Sequence, residues 1–189
     1  MKRSITLVAL LSPTAAFAHS GHSDGGLLTG ILHPITGLDH MAAMVAVGLW
    51  AALMGGKAMW RLPLAFMAAM VVGALIAVMG LALGGVEVVI ASSVLIMGVV
   101  LASKLSLPTK VGALMVMVFA IFHGYAHGAE MPTSSMALVY FVGFVAATGM
   151  LHTMGALLGT WLIRLKLDKW VFRVTGGVMA LFGGSLLLG

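Results

Sequence analysis

Half of the twelve histidine and acidic residues in this 189-residue chain fall in two short strings, His33-Pro34-Ile35-Thr36-Gly37-Leu38-Asp39-His40 and Phe122-His123-Gly124-Tyr125-Ala126-His127-Gly128-Ala129-Glu130. Both are embedded in runs apolar enough to cross a bilayer. An ionisable group at membrane depth costs several kcal/mol unless it meets a partner or a wet cavity, so two such clusters predict a site. His123 and His127 stand four apart, the spacing at which two imidazoles on one helical face can share a metal ion. Glu130 follows three residues later, placed to accept from an imidazole N–H or to bind the ion itself. In the first string Pro34 fits the first turn of a helix, which makes His33 a cap-like residue and puts Asp39 and His40 inside that helix. On a continuous helix His33 and His40 would lie two turns apart along nearly one face, with Asp39 rotated from His40 by about 100°. Gly37 offers a point of local unwinding that could bring backbone carbonyls to the site, as in broken transporter helices.

The donor set narrows the chemistry. With no cysteine there is no thiolate ligand, disulfide or thiol redox couple. Imidazole with carboxylate suits nickel, cobalt, zinc or copper(II), whereas magnesium and calcium prefer all-oxygen shells. Residue types do not separate nickel from cobalt or zinc. Three further histidines are secondary candidates. His152 lies well inside an apolar run, where it reads either as an interface histidine bonded to its own helix or as an inner relay. His19 and His22 begin the processed chain, where they could gather ions or simply form an exposed tail. Met41, Met44, Met150 and Met154 read as adaptable packing around the histidines.

The elements that must position these groups follow from composition. At 61% hydrophobic and 8% charged residues, the chain is too apolar for a soluble domain, whose apolar share is nearer 45–50%. We expect an all-α, polytopic membrane bundle. Lys2 and Arg3, a short apolar stretch and Ala16-Phe17-Ala18 predict a signal peptide over residues 1–18, leaving residues 19–189 as one transmembrane domain. Apolar runs then recur at Gly37 to Met54, Leu62 to Leu83, Val86 to Ser103, Lys110 to His127, Ser135 to Ile163 and Val171 to Leu188, predicting six helical spans. Every basic residue after the leader falls between spans one and two, three and four, or five and six. The positive-inside rule therefore predicts exported N- and C-termini and puts both histidine strings in the outer half of the bundle. Gly80 with Gly84, Gly124 with Gly128 and Gly155 with Gly159 have the spacing of close helix contacts. The basic pI does not point to nucleic acid, because the charges sit in short loops rather than on one solvated face.

The two strings, His-Pro-x-x-Gly-x-Asp-His and Phe-His-Gly-x-Ala-His-Gly-x-Glu, resemble the paired signatures of the HupE/UreJ family of nickel permeases, and the likeness extends over the whole chain. The resemblance implies secondary uptake of Ni2+, with Co2+ as the alternative, from periplasm to cytoplasm across the bacterial inner membrane. It assigns His33, Asp39 and His40 to the first signature and His123, His127 and Glu130 to the second. No permanent cofactor is implied. The expected partners are the metal ion, the lipid bilayer, another copy of the chain in an oligomer, and the cytoplasmic factors that mature nickel enzymes such as hydrogenase and urease. Without a Gly-x-x-x-x-Gly-Lys-Ser/Thr loop the chain hydrolyses no ATP, which leaves the membrane potential or a proton gradient as the drive. The rival reading is an intramembrane zinc hydrolase, with the histidines activating water and Ser92 or Ser93 assisting. A bis-histidine haem carrier is a third.

Overall fold

A computed structural model describes residues 26–131 and 136–189, so the leader with His19 and His22 lies outside the described residues. Seven helices follow one another: α1 (Leu27–Thr36), α2 (Leu38–Met54), α3 (Ala58–Val78), α4 (Val86–Ala102), α5 (Thr109–Ala129), α6 (Ala137–Arg164) and α7 (Asp168–Leu188). Among the described residues there is no strand. α3, α5, α6 and α7 are each long and apolar enough to cross a membrane. α1 and α2 meet that test together, as a pair bent by 85°, and α4 is a shorter apolar helix of 17 residues.

The bend corrects the sequence reading of the first string. Pro34 lies near the C-terminal end of α1 rather than at its start, and His33 precedes it inside the same helix instead of capping it. Gly37 has extended backbone (φ −86°, ψ 109°), which ends α1 and starts α2. The i−4 carbonyl clash and missing N–H of Pro34 already weaken this last turn, so the helix breaks where glycine costs least. His33 and His40 therefore sit on different helices and share no helical face. Gly37 is the unwinding point the sequence indicated.

The other runs match their helices to within a few residues, and the chain pairs α3 with α5, α4 with α7, and both α1 and α2 with α6. Small residues set these approaches, because in lipid close backbone packing replaces the hydrophobic drive. A Cβ added at Gly124 would overlap the Met70 carbonyl, and one at Gly155 the Val45 carbonyl. These two crossings bring the second string of α5 against α3 and hold α6 against α2. Gly80 and Gly84 do not behave as predicted: they occupy the turn between α3 and α4, Gly80 at φ +72°, and an added Cβ on either would meet nothing.

The core is filled by Trp50, Leu62, Phe66, Met70, Phe144 and Phe172, each no more than 1% exposed. Trp50 Nε1–H donates to the Leu105 carbonyl at 2.7 Å, tying the C-terminal half of α2 to the α4–α5 turn. At the same end, Lys104 pairs with Asp168. Through these two contacts the basic turns after α2, α4 and α6 gather at this end. The start of α2, the end of α5 and the start of α6 lie at the other.

Candidate metal centre

The break at Gly37 lets α1 and α2 present their polar residues from two directions onto the end of α5. His33 reaches over from α1: its Nε2 is 2.9 Å from Nδ1 of His127 and 3.1 Å from Oε2 of Glu130. The same carboxylate oxygen lies 3.8 Å from His127 Nδ1. Among the described residues these are the group of three donors compact enough to hold an ion, all within 4.8 Å of one another. Metal–nitrogen bonds of about 2.1 Å place neighbouring donors roughly 3 Å apart when they meet at a right angle. Two of the three separations have that value.

The protons in this triangle are too few for its contacts. If the His33 Nε2 proton goes to Glu130, His33 has no second proton there for His127. If His127 instead donates to His33, the His33 lone pair faces the carboxylate. Either way one close contact is left without a proton between its two atoms, and a cation among the three atoms relieves it. The hydrogen bond from His33 holds the Glu130 carboxyl below the usual glutamate value despite partial burial.

Two more imidazoles adjoin this triangle from the inner side. The His40 ring lies 4.4 Å from that of His127 and 5.1 Å from that of His123, both edge-on. Its Nδ1–H donates to Asp39 Oδ1 at 2.9 Å, so the carboxylate fixes the tautomer and leaves Nε2 with its lone pair. His123 reaches the same state through backbone: Nδ1 is 2.9 Å from the Phe119 carbonyl, which can only accept. His40, His123 and His127 each bury an Nε2 that finds no hydrogen-bond partner among the described residues. An unpaired polar atom in an apolar interior is costly, and a lone-pair nitrogen is the form of imidazole that ligates metal. His127 belongs to both groups, its Nδ1 facing His33 and Glu130 and its Nε2 left over.

Five of the six residues singled out in the two strings thus bring side-chain nitrogen or oxygen atoms together, and Asp39 supports them through His40. His152 stands apart from the triangle, buried on α6 with Nδ1–H donated to its own helix at Thr148 (2.9 Å). Three aromatic residues that line the site were not anticipated. Tyr140 packs edge-on against His33 and Phe144 against both His33 and His127, while Phe66 of α3 lies against both His123 and His152. The signal existed: Tyr140, Phe144, Thr148 and His152 recur every fourth residue and form one buried face of α6. Neither Ser92 nor Ser93 bonds to the histidines among the described hydrogen bonds, and Ser93 donates instead to the Ile90 carbonyl in its own helix at 2.7 Å.

Comparison with known proteins agrees with the two signatures. The family model described as HupE / UreJ protein matches residues 7–186. Protein HupE of Rhizobium leguminosarum bv. viciae is 46% identical over 189 residues, which is 100% of this chain and 98% of that protein. No solved structure matches. The match runs through both histidine strings and every helix, and on that evidence the chain belongs to the HupE/UreJ family.

Proposed function

We propose that this chain is a secondary transporter that takes up Ni2+, with Co2+ as the competing substrate, from the periplasm to the cytoplasm of a bacterium. The observation that carries the proposal is the convergence of His33, His127 and Glu130 on one point, with unpartnered Nε2 atoms of His40, His123 and His127 directly inward of it. The family resemblance supplies nickel where the donor chemistry alone gives a borderline divalent cation.

The cation is captured by the exposed Glu130 carboxylate with His33 and His127. It then passes to the Nε2 atoms of His40 and His123, and to Nε2 of His127 once that ring's proton has moved to the Nδ1 the ion vacates. Asp39 keeps His40 in the ligating tautomer and places a negative charge behind it. A transporter must bind tightly enough to select and weakly enough to release, and one imidazole shared between two donor groups makes the hand-over stepwise. Six spans, with α1 and α2 sharing one as a broken helix, a cleaved leader and the basic turns in the cytoplasm give the site its outward position. This reading needs no bound cofactor and no covalent chemistry, and it delivers the metal to cytoplasmic maturation factors.

Radioactive nickel uptake into proteoliposomes tests it, comparing the parent with His127→Ala and His40→Ala at matched insertion. Loss of uptake in both is expected. Parental uptake in the His127→Ala variant would remove the shared imidazole and the proposal with it.

A further inference from the structure

Beyond the five gathered donor residues, one buried histidine has no part in the capture just described. His152 is 1% exposed, its Nδ1–H is committed to the Thr148 carbonyl, and its Nε2 has no hydrogen-bond partner among the described residues. One ring separates it from the outer cluster. Phe66, also 1% exposed, packs against His123 with ring centres 5.7 Å apart and against His152 at 4.9 Å. His152 also borders an apolar groove of about 900 Å³ between α3 and α6, whose other walls include the exposed Met150, Met154 and Leu157. That groove runs past Met67 and Met150 to Trp60 and Thr160, near the basic end, where Arg61 lies over the Trp60 ring at 5.3 Å. Among the described residues, His152 is the one titratable group that lines it.

From this arrangement we infer that His152 is a second, inner binding station for the transported divalent cation, and that Phe66 is the partition between it and the outer cluster. The inference rests on the transport reading above. An imidazole locked by its own backbone as the Nδ1–H tautomer presents a ligand lone pair whether or not metal is present, and interface packing has no use for that lone pair. A phenyl ring wedged between two such imidazoles blocks direct passage. Movement of Phe66 opens the way, and its return isolates the outer donors from His152.

Four substitutions in the full chain, reconstituted in vesicles, test the arrangement. His152→Asn keeps a donor for the Thr148 carbonyl while removing the lone-pair nitrogen. His152→Phe keeps ring packing against Phe66. Phe66→Ala removes the partition, and Phe66→Leu keeps most of the side-chain volume if the alanine variant fails to fold. Nickel is the probe throughout, in equilibrium binding to detergent-solubilised protein, in uptake, and in efflux from preloaded vesicles. Both His152 variants are expected to bind nickel within about twofold of the parent yet to take it up at least about tenfold more slowly, the scale of losing one coordinating contact. The Phe66 variants are expected to keep binding and to raise efflux at least about tenfold, the effect of lowering a barrier by about 1.4 kcal/mol.

Parental uptake by His152→Asn would overturn the inner station, as would a loss of binding parallel to the loss of uptake. Unchanged efflux in Phe66→Leu, or in Phe66→Ala where it folds, would overturn the partition. A parent protein that neither binds nor transports nickel would instead defeat the transport reading itself, so the two failures are distinguishable.

Discussion

Replacing Asp39 separates two contributions that the site combines. The carboxylate accepts the His40 Nδ1–H at 2.9 Å and its side chain is 29% exposed, so it both orients the imidazole and adds charge behind it. A dication on the His40 Nε2 would stand roughly 7 Å from the carboxylate, and at an effective dielectric constant of about 40 the attraction is roughly 2 kcal/mol. That corresponds to about 30-fold in affinity, inside the 10–100-fold range expected when the carboxylate behind a metal-binding histidine is lost. Asp39→Asn retains an oxygen acceptor and removes the charge, so it should weaken nickel binding by about that factor. Asp39→Ala also removes the hydrogen bond, worth about 1 kcal/mol, and should cost a further fivefold or so. Competition against a chromophoric chelator in detergent at fixed pH measures both. A Kd for Asp39→Asn within about threefold of the parent would refute the electrostatic part of this reasoning.

Three further outcomes follow from the structure. Because the His33 hydrogen bond lowers the Glu130 pKa, the carboxylate stabilises the fold fully above the ordinary glutamate value and loses that contribution as pH falls through the lower folded value. The thermal midpoint of Glu130→Gln should therefore lie below the parent's at pH 7 and converge with it in acid, and a constant gap at all pH values would contradict this. Gly48→Val puts a Cβ into the His152 carbonyl and the Gly155 backbone, so it should separate α2 from α6 and cost about 1–3 kcal/mol or the fold itself. A parental midpoint in detergent would count against that crossing. Trp50→Phe leaves the Leu105 carbonyl without its donor and should cost about 1–2 kcal/mol in unfolding free energy, with nickel binding unchanged because the tryptophan lies at the basic end.

Much of the bundle was legible because lipid allows few backbone solutions. The apolar runs had to be helices, and α5 carries His123 and His127 one turn apart as their spacing required. Glu130, just beyond the last turn of α5, meets His127 for the same reason. What the sequence hid at the first string was a competition within four residues. Pro34 read as a helix start is locally sensible, but the ten residues of α1 before Gly37 form a helix of their own, and Gly30 seats it against Tyr140 of α6. That contact is long-range, and no local pattern announces it. The pairing of His33 with His127 rather than with His40 is its consequence. The Gly80 and Gly84 spacing misled because it ignored position: glycines at a span's edge serve the turn, whereas Gly73 and Gly124 in mid-span serve the crossing. The aromatic walls were missed because Phe66, Tyr140 and Phe144 look like ordinary apolar residues until the histidines beside them are placed.

Nickel-edge X-ray absorption of the metal-loaded protein addresses the donor set most directly. We predict at least two imidazole ligands with nitrogen or oxygen completing the shell, and a loss of imidazole scattering in His127→Ala. An all-oxygen shell, methionine sulfur in the first shell, or a spectrum unchanged by His127→Ala would contradict the site assembled here from α1, α2 and α5.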